Sequence, residues 1–92
     1  MTKVRTNISS GSPHEPVLGY SRAVRVGDQI FVAGTTSGGV GGDDAGEQTR
    51  EILRRIGVAL EQAGASFADV VRTRVFFTHA ADFDAIGAVH GE

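Results

Sequence analysis

Apolar and polar positions change period several times along the chain, and each change marks an element. Lys3 to Ile8 alternates, with Val4, Thr6 and Ile8 on one face and Lys3, Arg5 and Asn7 on the other. This predicts a short strand whose charges suit a sheet edge. In the stretch Tyr20 to Thr35, Val24 and Val26 share a face that Arg25 opposes, and Ile30 to Ala33 follows after Gly27-Asp28-Gln29. Two β-favouring runs around a Gly/Asp turn predict a hairpin. At Asp44 the period becomes helical: Thr49, Ile52, Leu53, Ile56, Ala59, Leu60 and Ala63 form one stripe up to Ala63. Asp44 and Glu47 have capping-box spacing, Gly57 suggests close backbone packing, and Gly64 supplies the stop. Val70 to Thr78 alternates again and predicts a strand, after a short capped turn at Ser66 to Asp69. A last helix is expected from near Asp82, with Phe83, Ile86 and Val89 or His90 turned inward.

Two stretches read as loops. Residues 9–18 hold both prolines of the chain, and residues 36–43 are glycine-rich. The resulting order is strand, hairpin, helix, strand, helix. It predicts a single domain over residues 1–92 of α+β class, with two helices covering one face of a largely antiparallel, mixed sheet. Four short strands are few for two amphipathic helices, so the pattern also predicts that more chain follows.

Composition narrows the function classes. A chain of 92 residues is one domain at most, and a core this thin gains from a partner subunit. The net charge of −2 argues against a nucleic-acid footprint. There is no cysteine, which removes disulfides, thiolate catalysis and Cys-ligated zinc together. No apolar run reaches membrane-spanning length, so the expectation is a cytoplasmic protein without membrane contact.

Motif chemistry is sparse. The glycines at 38, 39, 41 and 42 lack the Gly-Lys-Ser/Thr ending of a P-loop, and Asp43 and Asp44 stand where a phosphate would sit. His14, His79 and His90 show no metal-ligand spacing, so neither metal nor cofactor is expected. Ser9, Ser10 and Ser12 have no nucleophile-elbow context. Tyr20 is the only tyrosine. Its position at the hairpin entrance, with Gly34 and Thr35 at the exit, makes these the candidate substrate-binding residues, and no catalytic residue is assigned.

The segments Gly19-Tyr20-Ser21-Arg22-Ala23-Val24, Val26-Gly27-Asp28 and Ile30-Phe31-Val32-Ala33-Gly34-Thr35 resemble the opening of the RidA/YjgF family. Glu47-Gln48-Thr49-Arg50, Ala63-Gly64-Ala65-Ser66, Asp69-Val70-Val71-Arg72-Thr73, Val75-Phe76 and Asp82-Phe83 continue it in register. The resemblance implies a chorismate-mutase-like subunit in a homotrimer, with a small carboxylate or imine ligand bound at subunit interfaces. It also implies hydrolysis of reactive enamines and imines to a 2-keto acid and ammonia; older family labels are endoribonuclease L-PSP and translation inhibitor. Tyr20 matches the family tyrosine, and Gly34-Thr35 matches the Gly-Gln after the second hairpin strand. Gly19 replaces the usual proline, Thr35 the glutamine, and Gly87 an asparagine of the second helix. The family's carboxylate-gripping arginine and its glutamate belong to two strands that would lie beyond Glu92. Residues 1–92 alone are therefore expected to show no appreciable imine hydrolysis. The alternatives are a catalytically silent trimer that binds small metabolites in the same cleft and, disfavoured by charge, an RNA-acting protein.

Overall fold

The computed structural model describes residues 4–92, so Lys3 of the first expected strand lies outside them. The elements are β1 (Arg5–Ile8), α1 (His14–Leu18), β2 (Ala23–Val26), β3 (Gln29–Val32), α2 (Ala45–Gln62) and α3 (Phe83–His90). Short 3₁₀ turns occupy Phe67–Asp69 and Ala80–Asp82. Among the described residues the strands form one three-stranded antiparallel sheet in the order β1-β2-β3. The fold is α+β.

Two compact units are formed. The first contains the described residues up to Gly34 together with Ile56–Asp69, and the second contains Thr35–Arg55 and Val70–Glu92. In the first unit, β2 and β3 pair with Val26 opposite Gln29 across Gly27-Asp28. Gly27 has φ 58°, the positive value that a II′ hairpin turn requires at its first central position. Ile8, Ala23 and Val32 stand in one cross-strand row, and Thr6, Arg25 and Ile30 in the next. These rows share the face covered by the end of α2, where Ile8, Ala23, Ala59 and Ala63 form the core with Ile30 and Val32 against it. Arg25 is accommodated on that covered face because its Nη1 donates to the Ala63 carbonyl at 2.6 Å. A cation at a helix C-terminus satisfies an orphan acceptor and complements the dipole. The opposite face carries Asn7, Val24 and Phe31 in one row and Arg5, Val26 and Gln29 in the other.

The α2 helix begins as the sequence predicts: Glu47 N–H donates to Asp44 Oδ1 at 3.0 Å. It ends at Gly64, whose φ of 86° allows Ala65 N–H to reach the Leu60 carbonyl at 2.8 Å. In the second unit the glycine loop turns back on the start of α2. A side chain at Gly41 would come within 2.9 Å of the Gln48 nitrogen, so this close approach admits only glycine. In α3, Ile86 and Val89 are half-buried, whereas Phe83 and His90, expected inside, are exposed.

Two expectations are corrected. Residues 9–18 are not wholly a loop, since α1 forms at His14–Leu18. Its prolines are compatible with a helix start, where no intrahelical N–H is needed. Ser12 Oγ accepts the His14 N–H at 3.2 Å, while Glu15 Oε2 accepts the Ser12 N–H at 3.3 Å, a capping-box exchange. Gly19, in the left-handed region at φ 74°, closes the helix. The strand expected at Val70–Thr78 is also absent, and with it the mixed character of the sheet. Val71 is 99% and Phe76 86% exposed. Alternation describes a strand only where a neighbour supplies ladder hydrogen bonds, and no described strand pairs with this segment. Its ties run to α3 instead, through Thr73 Oγ1 to His90 Nε2 at 3.1 Å and the Phe77–Phe83 ring contact.

Ala23 is 1% exposed at the helix-sheet contact. Ala23→Leu overpacks this contact and is expected to destabilise the protein by about 1–3 kcal/mol, read as a lower urea midpoint at unchanged slope.

Candidate functional site

The side of the hairpin away from α2 holds an open cleft of about 570 Å³, bordered by α1. That volume lies within the range of small-molecule sites. Val24 and Phe31 form its apolar wall, Arg5 and Asn7 reach it from β1, and Glu15 and Tyr20 from α1 and the turn after it. Antiparallel pairing creates the wall: Asn7, Val24 and Phe31 are cross-strand partners on one face.

Tyr20 is placed by the end of α1. Gly19 and Tyr20 both donate backbone N–H groups to the Glu15 carbonyl, at 2.9 and 3.0 Å. This 6→1 closure requires the left-handed backbone at Gly19 and turns the chain from α1 into the hairpin. The Arg22 guanidinium lies 5.6 Å from the Tyr20 ring centroid, a cation–π contact. Arg22 Nη1 also donates to the Gly34 carbonyl at 2.8 Å and to Ala33 at 3.4 Å. One arginine thus ties the hairpin entrance to its exit.

Of the three candidate residues, Tyr20 lines the cleft; Gly34 and Thr35 do not. Gly34 is held beside Tyr20 through Arg22, whereas Thr35 opens the second unit.

Three residues gain a role that the sequence pattern did not suggest. Arg22 is the first. Arg5 is the second: read as an edge charge, it lines the cleft, and its Nε donates to Asn7 Oδ1 at 2.9 Å. Because Asn7 lies two residues further along β1, that bond directs the guanidinium toward the end of the sheet where Tyr20 sits. Glu15 is the third. It is buried, and its Oε2 accepts the N–H groups of Ser10 at 3.0 Å and Ser12 at 3.3 Å, together with the Ser10 hydroxyl. The Ser10 hydroxyl bond is the main reason that the Glu15 carboxyl lies below its ordinary range, with burial opposing it. The spacing Ser12-x-x-Glu15 with proline at 13 was the available signal.

Elsewhere the charges are satisfied locally. On α2, Glu51 receives Arg54 at 2.7 Å on both oxygens and Arg55 at 2.7 Å on Oε2, which holds its carboxyl down to about 2. Arg50 binds Glu92 at 2.7 Å. No three acidic or histidine side chains among the described residues cluster as metal ligands would.

A family model described as endoribonuclease L-PSP matches residues 11–92. The chain belongs to the endoribonuclease L-PSP (RidA/YjgF) family. An uncharacterized relative from Streptomyces coelicolor is 40% identical over 89 residues, covering 92% of this chain and 66% of the relative. A rat relative named 2-iminobutanoate/2-iminopropanoate deaminase is 28% identical over 92 residues, covering 95% of this chain and 67% of its own length. A solved structure from Mycobacterium tuberculosis, a member of the YjgF/YER057c/UK114 family, is 53% identical with a TM-score of 0.87. That match covers 96% of this chain and 72% of the other. The chain thus spans about two thirds of the length of the curated family members it matches.

The serine latch is open to test. Glu15 is depressed in the folded protein, so its linkage stabilises the fold above the ordinary carboxyl pKa of 4.5, and the gain is lost as pH falls through the folded value. Ser10→Ala removes the main cause. NMR titration of the Glu15 carboxyl carbon should give a higher pKa in the variant than in the native protein; equal values would assign the depression elsewhere.

Proposed function

We propose that the protein binds small 2-keto and 2-imino carboxylates in the Tyr20 cleft and hydrolyses the imines, as a 2-imino acid or enamine deaminase. The observation that carries this reading is Arg5 in the cleft. A guanidinium has five N–H donors in a planar fork, and the Asn7 bond uses one, so the others can grip a carboxylate. Arg5 thereby offers, within the chain, the cation that the family resemblance placed beyond Glu92, which is why activity is now expected. The name of the rat relative supports the same chemistry.

In this reading Arg5 holds the substrate carboxylate, and Val24 and Phe31 receive an apolar side chain. The Tyr20 hydroxyl orients water toward the C=N carbon. The water oxygen bonds to that carbon and the C–N bond breaks, with both water protons ending on nitrogen. The iminium carboxylate and one water give a 2-keto carboxylate and ammonium, so charge and atoms balance.

A second reading, a silent metabolite-binding protein, has its own support. The ionisable groups lining the cleft are Arg5, Glu15 and Tyr20, and a carboxyl held below its ordinary range is a weak base near neutral pH. Ribonuclease action is not favoured. The α2 arginines at 50, 54 and 55 each face a carboxylate, so they present no free basic stripe to a phosphate backbone.

The assembly is proposed to be a homotrimer with the cleft at the subunit interface. Phe31 is 60%, Val17 81% and Leu18 71% exposed in the same unit, an apolar surface that a neighbouring copy would cover. No helix among the described residues is long and apolar enough to cross a membrane, and a cytoplasmic site of action is proposed.

The test generates 2-iminobutanoate in situ and follows its loss against spontaneous hydrolysis. The protein should accelerate that loss, and Arg5→Gln should lower kcat/KM by about tenfold or more. No acceleration, with 2-oxobutanoate still bound, would replace the deaminase by the silent binder. In ultracentrifugation the native protein should sediment as a trimer.

A further inference from the structure

Glu15 has a feature that helix capping does not require. Its hydrogen bonds from Ser10 and Ser12 all come from neutral donors, and all fall on Oε2. None of the ion pairs among the described residues involves it. The result is a buried negative charge in the wall of a cleft that also contains a guanidinium. Neutral dipoles stabilise such a charge but leave it a net field that favours a cation in the cleft. The Ser9 hydroxyl also contributes to holding the carboxylate ionised, and it too is a neutral donor, so the charge itself is left uncompensated.

The cleft therefore offers three kinds of surface together. Arg5 is cationic and directed toward the Tyr20 end by Asn7. Glu15 is anionic. Val24 and Phe31 line the same cleft and are apolar. We infer that Glu15 is a specificity-determining residue that binds a cationic nitrogen, so that the cleft selects zwitterionic 2-imino or 2-amino acids with an apolar side chain over the corresponding 2-keto acids.

This rests on the carboxylate-binding reading above and adds the second charge. In a deaminase, the same preference would hold the iminium form of substrate and release the 2-keto carboxylate, which has lost the positive charge on nitrogen. The depressed pKa of Glu15 suits a fixed counter-charge, because the group is ionised throughout the range above the ordinary carboxyl pKa.

The test uses two probes with the same side chain, L-leucine and 4-methyl-2-oxopentanoate, titrated into the protein by calorimetry or NMR. Leucine should bind about tenfold more tightly, the contribution of one charge-assisted contact. Glu15→Gln, close in shape, should remove that preference by weakening leucine while leaving the keto acid within about twofold. Arg5→Gln should weaken both probes. Ser10→Ala disturbs the latch but keeps the charge, so it should retain the preference. Equal affinities in the native protein, no binding of either probe, or a Ser10→Ala variant that loses the preference as Glu15→Gln does would each overturn the inference. The outcome is separable from catalysis: selective leucine binding without imine hydrolysis sustains this assignment while the deaminase reading falls.

Discussion

The contact that the first unit depends on is the close approach of the end of α2 to the sheet. Ala59 and Ala63 on the helix meet Ile8 and Ala23 on the strands, with Ile30 and Val32 completing the layer. Small residues on both sides let the backbones approach, and Arg25 spans the remaining gap to the Ala63 carbonyl. Side chains alternate along a strand, so this one contact also decides what the other face presents. A one-residue shift of β2 would turn Arg25 and Ala23 outward and bury Val24. In the register observed, the face away from α2 holds Arg5, Asn7, Val24 and Phe31, and the cleft follows from that division.

A second constraint sets the rim. Closure of α1 at Gly19 carries the chain from a buried Glu15 to Tyr20 within five residues. Arg22 then joins the Tyr20 ring to the Gly34 carbonyl, so entrance and exit of the hairpin are held as one edge. The site is thus assembled from short local devices: a capping exchange, a left-handed glycine, a hairpin and one bridging arginine. Each is modest in energy, and together they fix Glu15 and Tyr20 in the lining of the cleft.

Much of this was legible in the sequence, for identifiable reasons. The hairpin, β1 and α2 announce themselves by period, and Asp44 and Gly64 mark the helix limits that the structure shows. The α1 helix was missed because its apolar residues, Val17 and Leu18, are exposed and its one buried residue is an acid. The strand at Val70–Thr78 was predicted from genuine alternation, but pairing is a property of two segments and a single sequence pattern reports only one. Of the residues named from the sequence, Tyr20 at the hairpin entrance lines the cleft. Arg5 and Glu15 were not among them, because an edge arginine and a loop glutamate look ordinary until the fold brings them to one cleft. Family likeness identified the fold and class and left the charge pattern of the cleft to the structure.

The central claim is that ligand binds to the sheet face that α2 leaves uncovered. Methyl-selective NMR during titration with 4-methyl-2-oxopentanoate tests it directly. The account predicts that the methyl signals of Val24 move with ligand while those of Ile8 and Ile30, on the covered face, stay in place. Shifts at Ile8 and Ile30 with Val24 unmoved would contradict it.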